Sequence, residues 1–360
     1  MAKIDMTGLT AAIPEAVQSM SDLIKKEAFT YGDLMQLVTL VPDVSYAKKI
    51  GFLGKLAAIG KTKSGTTCTL NTVTATVPTT ESTWDPTEWD TRLVLCKDDI
   101  EGTIAMKTLK NGVESFDLTG TDYIKAFTDA LIEAINEMYF RMVWVSDTDA
   151  AGTDDSPAGY ITAGADLDLV NMIDGLWKRA RTAIATDTTQ HIDIPANDEI
   201  TTVAQDAAFT TALALTYSKN LFFNAPLRIR NKMKRDGYIA YCTQAYFDKL
   251  LSNFQTFDLE SMRKTLEDGA EALMINGIPF VAVPEWDEMI ETYEDQGAYY
   301  RDPFRCIVYA KNNALVGVPS VSTWGEFDAF YDRTDKKVYI DLDDKIDALF
   351  LQSDMIMVAI

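Results

Sequence analysis

The chain has 360 residues, with 33 Lys plus Arg against 54 Asp plus Glu, a formal charge of −21 and a pI near 4.4. At 47% hydrophobic and 24% charged residues it has the composition of a folded chain. Area scaling gives a compact surface of roughly 14,000 Å² against ~58,000 Å² unfolded, so a sizeable core needs no disulfide or metal staples. The charge disfavours a surface-wide nucleic-acid binder, no run of 18 apolar residues is there to span a membrane, and the single histidine, His191, removes most triad and histidine–metal chemistry.

The first residues, MAKIDMTGLTAAIPEAV, put an Asp and a Pro where a signal peptide needs an unbroken apolar stretch. Residues 1–65 carry a net +2 and the remainder −23. That split suits an arm lying on another molecule's acidic surface, or a chance excess of lysines on a solvated face. Residues 14–41 read as short helical turns ended by Pro42, after which Lys48, Lys49, Lys55, Lys61 and Lys63 bracket Gly51, Gly54, Gly60 and Gly65. Thr62 to Thr91 holds twelve threonines, and TCTLNTVTATV alternates at period two, a strand signature for β-branched side chains. DTRLVLCKDDIEGTIAM reads as the returning strand, with Trp84 and Trp89 between the two. Residues 52–104 therefore look like a long two-stranded excursion with little apolar mass. A lone ribbon of that kind is marginal in water and needs a partner surface.

A long helix is expected over 121–146. Thr121 is a plausible N-cap, and Ile124, Phe127, Leu131, Ile135, Met138 and Met142 form one apolar stripe along a rod of ~39 Å. The loop that follows holds Asp147, Asp149, Asp154 and Asp155, but Ala151 and Ala158 fall where a calcium loop needs oxygen ligands, so a polar turn is the better reading. ADLDLVNMIDGLWKRARTAI reads as a second amphipathic helix, Thr186–Thr202 as a polar linker or insertion, and QDAAFTTALALTYSKNLFFN as a helix stopping near Pro226. RIRNKMKR gathers Arg228, Arg230, Lys232, Lys234 and Arg235 without interleaved aromatics. Pairing with a neighbour's carboxylates, or solvation, suits it better than nucleic acid. GYIAYCT reads as a strand, QAYFDKLLSNF as a helix, ALMINGIPFVAVP as a turn at Asn276-Gly277 with a buried strand, and EWDEMIETYEDQG as an acidic loop. RCIVYAKNNALVGVP, KVYIDLDD and ALFLQSDMIMVAI complete a sheet-rich second half. Without a βαβ rhythm the class is α+β.

Cys68, Cys96, Cys242 and Cys306 form no CxxC pair and read as reduced, half-buried thiols. GxxxxGK[ST], GxSxG, HExxH and GxGxxG are all missing from the sequence. The carboxylate pairs Glu285/Asp287 and Asp341/Asp343 read as solvated surface. No catalytic residue, cofactor or metal ligand is nominated.

Four stretches together resemble the major capsid proteins of tailed bacteriophages with the Hong Kong 97-type fold. EAINEMYFRMVWVSDTDAAGTDDSPAGYIT is similar to that family's spine helix and following loop, and DLVNMIDGLWKRA to its next helix. GYIAYCTQAYFDKLLSNF is similar to its strand–turn–helix, and ALMINGIPFVAVP to a strand of its axial domain. The resemblance spans about residues 120–320. It implies an N-terminal arm over 1–51 and an extended loop, a β-hairpin, over 52–104. A peripheral domain over 105–186 would hold the spine helix, and an axial domain over 187–335 would include an insertion or enlargement at 187–235. Peripheral strands would close the chain over 336–360.

It further implies a non-enzymatic shell protein that assembles with itself into hexamers and pentamers around packaged double-stranded DNA, in a virion put together in the host bacterial cytoplasm. Portal, scaffolding and decoration or head-completion proteins would be partners. Contacts between subunits are expected at Lys48, Lys49, Lys61, Lys63, Trp84, Trp89, Arg228 and Arg230, with no lysine–asparagine crosslink. Two alternatives stand beside it: an encapsulin-like compartment shell, and an unrelated α+β enzyme working with carboxylates.

Overall fold

The computed structural model describes residues 33–53, 79–96, 134–150, 161, 167–256, 263–265, 271–320, 327–332 and 337–360. In chain order these form α1 (Asp33–Leu37), β1 (Thr39–Val41), β2 (Lys48–Leu53), β3 (Thr79–Trp84), β4 (Thr87–Cys96), and α2 over 134–144. They continue with α3 (Leu167–Val170), α4 (Leu176–Thr186), β5 (His191–Ile192), α5 (Thr202–Ala208), α6 (Thr211–Phe223) and α7 (Leu227–Met233). Then come β6 (Tyr238–Cys242), α8 (Gln244–Thr256), β7 (Arg263–Thr265), β8 (Glu271–Ile275), β9 (Ile278–Ala282) and α9 (Pro284–Tyr293). The chain ends with β10 (Cys306–Ala310), β11 (Ala314–Gly317), β12 (Phe327–Asp332), β13 (Lys337–Phe350) and β14 (Met357–Ala359).

A seven-stranded sheet in the order β5-β14-β10-β6-β9-β8-β7 is the centre of the molecule. Its side chains alternate between two cores, as the period of a strand requires. Tyr241, Ile307 and Tyr309 enter one hydrophobic cluster with α2, α4 and α9. Cys242, Cys306 and Val308 enter the other, under α6 and α8. Both faces are covered, which is why β10 reads as an unbroken apolar run, CIVYA, rather than an alternating one. A five-stranded sheet is built on the fourteen-residue β13, which carries β12 and β4 on its two sides and β11 beyond them. β2 and β3 form a two-stranded sheet of their own.

The described elements bear out an α+β class, and several local expectations change. DTRLVLC is a strand, and its partner is β13: β4 pairs antiparallel with it, from Cys96 opposite Lys337 to Thr87 opposite Ile346. A ribbon of β2 with β3 precedes it, and residues 67–77 lie outside the described residues. The second amphipathic helix is broken before Leu176. A Cβ on Gly175 would lie 2.9 Å from the backbone of Ser146 and Trp144, so the chain must run extended there to let α2's end approach. QDAAFTTALALTYSKNLFFN is likewise two helices. Phe209, fully buried, stacks on Phe304 at 4.2 Å, and Thr210 caps α6 by accepting from the Leu213 N–H.

EWDEMIETYEDQG is largely helix α9, not an acidic loop. Pro284 starts it, and Trp286, Met289, Ile290 and Tyr293 are buried along one face. The segment over 187–235, expected as an insertion or enlargement, packs into the body: β5 is an edge of the central sheet and α6 covers one of its faces. The boundary expected at 336 falls between the paired strands β12 and β13, and β14 belongs to the central sheet. Residues 33–41, expected in an arm, dock on their own chain. β1 runs parallel to β11, and the Tyr309 hydroxyl donates to the Leu37 carbonyl at 2.9 Å. The expected N-cap Thr121 and the first part of the long helix lie outside the described residues.

Candidate functional site

The candidate site is the root of the β2–β3 ribbon, a two-stranded sheet apart from the two larger ones. Lys48 lies opposite Trp84 and Leu53 opposite Thr79. Lys49 and Glu81 pair across the ribbon at 2.9 Å, both side chains exposed, which is worth little in water. Among the ribbon's described side chains, Ile50 and Ser82 are half-buried, Ile50 against a small apolar cluster and the Ser82 hydroxyl donating to the Leu351 carbonyl at 2.9 Å, and Trp84 at the root is buried. Trp84 is 1% exposed and packs in a small cluster with Val44, Leu315 and Leu349. The ring lies so close to Gly317 that a Cβ there would meet it at 2.8 Å.

One residue later the chain bends into β4, and a buried carboxylate holds the bend. Asp347 is fully buried. It accepts from the Asp85 N–H at 2.8 Å, from the Ala348 N–H at 2.8 Å, and from the Arg179 guanidinium at 2.8 Å. Burial pushes its carboxyl above the usual range, and Arg179 and the two N–H groups only partly reverse this. Ribbon, C-terminal strand and α4 thus meet at one group. Beyond the bend, Trp89 lies edge-on to Tyr139 of α2, ring centroids 5.8 Å apart. Arg92 grips Asp341 with two hydrogen bonds of 2.5 Å and covers the Tyr339 ring at 5.3 Å.

Two further ionic groups brace the body. The acidic loop after α2 is organised around a lysine. Lys178 lies 2.8 Å from Asp147, 2.8 Å from Asp149 and 2.7 Å from Asp174. Although burial opposes the charge, the three carboxylates hold the ammonium well above its usual range. The polar turn expected from the sequence thus takes its cation from its own chain. Under the central sheet, Arg305 (1% exposed) donates to Glu294 (2% exposed) and lies 5.1 Å from the Trp177 ring. Arg181 bridges Asp302 at 3.0 Å. Burial would raise the Asp302 carboxyl, but Arg181 and Arg305 hold it below its usual range.

Of the residues expected between subunits, Lys48 and Lys49 are exposed on the ribbon, and Lys61 and Lys63 lie outside the described residues. Trp84 and Trp89, at 1% and 5% exposed, pack within their own chain, Trp84 beside Val44, Leu315 and Leu349 and Trp89 against Tyr139. Arg228 pairs with Asp187 at 2.6 Å. Arg230 donates to the carbonyls of Phe223 and Ala225, satisfying the end of α6. Asp347, Lys178 and Arg305 escaped the sequence reading. An aspartate in IDLDDKIDALF or a lysine in LWKRA carries no local mark of burial.

Cys242 and Cys306, expected to be half-buried, are fully buried free thiols opposite one another on β6 and β10, with burial pushing the Cys242 thiol up. A groove of about 590 Å³ is lined by Glu88, Trp89, Asp90, Pro319, Asp343, Asp344 and Lys345. Among the described residues no group of three or more His, Cys, Asp or Glu is placed to hold a metal ion.

No family model and no curated protein matches the chain. Solved structures do. A chain of the satellite phage P4 procapsid, determined with its size determination protein, is similar at 11% identity over 95% of this chain and 98% of that one, with a TM-score of 0.49. The cyanophage Pam1 capsid is similar at 12% identity, 90% and 87% coverage and 0.48. The holo encapsulin complex of Synechococcus elongatus is similar at 7% identity, 92% and 87% coverage and 0.48.

Proposed function

We propose that this chain is a shell-forming structural protein, a major capsid protein of the tailed-phage type that assembles with copies of itself around packaged double-stranded DNA. The observation that carries the reading is the β2–β3 ribbon. It is a two-stranded sheet joined to neither larger sheet, with its root locked by Trp84 and Asp347 and Lys48, Lys49 and Gly51 exposed. A ribbon alone is marginal in water and is stabilised on another molecule's surface. A rigid root is what a reaching element needs, because it fixes the direction of reach without shielding the strands. The order of the described elements supports the same reading: ribbon, helix α2, acidic loop, second helix, central sheet, and the strand β13 that returns to hold the ribbon's base.

In this reading the central sheet with its helices corresponds to the axial domain, α2 to the spine helix, and the β13 sheet to the peripheral strands. The acidic body repels DNA instead of gripping it. Portal, scaffolding and decoration proteins are its partners, and the virion, assembled in the host cytoplasm, is its location. Negative-stain imaging and sedimentation of the purified full chain test it. Closed particles tens of nanometres across, on the order of many subunits, are expected, and a stable monomer under all assembly conditions overturns the proposal. Particles that enclose protein cargo and never nuclease-protected DNA would move the assignment to a compartment shell.

A further inference from the structure

We infer that copies of this chain join head to tail through opposite ends of the central sheet, an acidic apolar end on one copy meeting a basic apolar end on the next. The inference rests on the shell reading and names the surfaces that make it work. The strand directions define the two ends. β5, β14, β6 and β9 run one way and β10 the other. Ile192, Ala359, Cys242 and Ala282 therefore lie at one end with the start of β10, and His191, Met357 and Tyr238 lie at the other.

At the first end, Ile200 and Val203 are 72% and 78% exposed, next to the exposed carboxylates of Asp198 and Glu199. They are not on a loose loop. The Thr202 N–H donates to the Ala298 carbonyl at 3.0 Å. The buried Gln205 side chain donates to the Tyr300 carbonyl at 2.7 Å, and Asn197 donates to the Phe304 carbonyl at 2.9 Å. At the other end, Phe223 and Leu227 are 54% and 70% exposed, where α6 turns into α7. That turn is held by Arg230 on the Phe223 and Ala225 carbonyls and by Arg228 on Asp187. Beside it Lys232, Lys234 and Arg235 are exposed, a concentration of positive charge in a chain of −21.

Single exposed apolar groups are ordinary on a protein surface. Here two such pairs occur at opposite ends of one rigid element, each beside charge of opposite sign. A two-fold contact would bring acid to acid or base to base, which costs free energy. The head-to-tail contact brings apolar pair to apolar pair and carboxylate to ammonium. A contact between different surfaces of identical copies closes into rings or runs on as a chain, as shell building requires.

Three charge-reversed full-length chains test this: Lys232→Glu with Lys234→Glu, Asp198→Lys with Glu199→Lys, and all four together. Each reversal at one end leaves both ends with the same sign and is expected to lower the assembled fraction about tenfold or more. The four-fold reversal restores complementarity and is expected to recover assembly to within about twofold of wild type. Mixing the two single-end variants is expected to give mixed oligomers in sedimentation. Circular dichroism checks that each variant is folded. If one is not, the salt dependence of wild-type assembly decides, since screening must slow a contact rimmed by opposite charges. Wild-type chain that never assembles defeats the shell reading itself. Wild-type chain that assembles while a folded single-end variant assembles equally well, while the four-fold variant does not recover, or without any salt dependence, overturns the head-to-tail contact alone.

Discussion

Replacing Asp347 by alanine should loosen the ribbon root more than any other single change. The carboxylate accepts three hydrogen bonds of 2.8 Å, from the Asp85 and Ala348 N–H groups and from Arg179. Removing one member of a buried charged pair typically costs ~3–5 kcal/mol. Two features place this case at the low end. Arg179 keeps 30% of its side chain exposed, so water can serve it after the change. The raised carboxyl value also means that holding the charge there already costs something. About 3 kcal/mol remains, roughly two decades in an opening equilibrium.

Because Asp85 is the first residue after the ribbon, the loss should act locally, where ribbon meets ladder. Amide hydrogen exchange at Trp84 and Asp85 is therefore the assay, with about a hundredfold loss of protection expected while the central sheet keeps its own. Protection at those amides within about threefold of wild type, in a protein that is otherwise folded, would refute the reasoning. The pH dependence has a definite sign. A carboxyl raised in the folded state contributes stability that is present below its unfolded value of ~3.9 and fades as pH rises through the folded value. Asp347→Asn should therefore remove a decline in stability over that window.

Gly317→Ala places a methyl 2.8–2.9 Å from the Trp84 ring and 2.9 Å from Val44 Cγ1. The expected loss is ~1–3 kcal/mol in thermal unfolding, with a shifted Trp84 signal in fluorotryptophan NMR; an unshifted signal would show that the ring does not pack there. Lys178→Met strands Asp147, 1% exposed, among carboxylates without their cation. Urea titration should show a loss of ~3–5 kcal/mol, and a loss below about 1 kcal/mol would mean that the loop does not depend on its lysine. Asp302→Asn keeps a side chain that tolerates the positive φ of 47° at that position but removes the charge held low by Arg181 and Arg305. The wild type should lose stability as pH falls from ~3.9 through the lower folded value, and the variant should not. Parallel acid titrations would count against an ionised Asp302.

Period-two and helical spacing are local properties, and where they ruled, the sequence was a sufficient guide. YIAYC must be a strand with two buried faces, QAYFDKLLSNF a helix with one, and Asn276-Gly277 a turn, since both residues take positive φ. The α+β class followed from the same patterns. Local spacing states which face of an element is apolar but not what covers it. DTRLVLC could be read as a strand, yet its partner lies more than 240 residues away on β13. The break at Gly175 exists only because α2 ends against it. The acidic run after Val283 conceals a helix with four buried side chains, of which Trp286 packs edge-on against the Trp144 and Trp177 rings. Charge shows the same division. Composition alone settles a total of −21, but only the folded arrangement sets Lys178 among three carboxylates, buries Asp347 at the ribbon's root, and separates an acidic end of the sheet from a basic one, because strand direction and packing, not position along the chain, decide which charges meet.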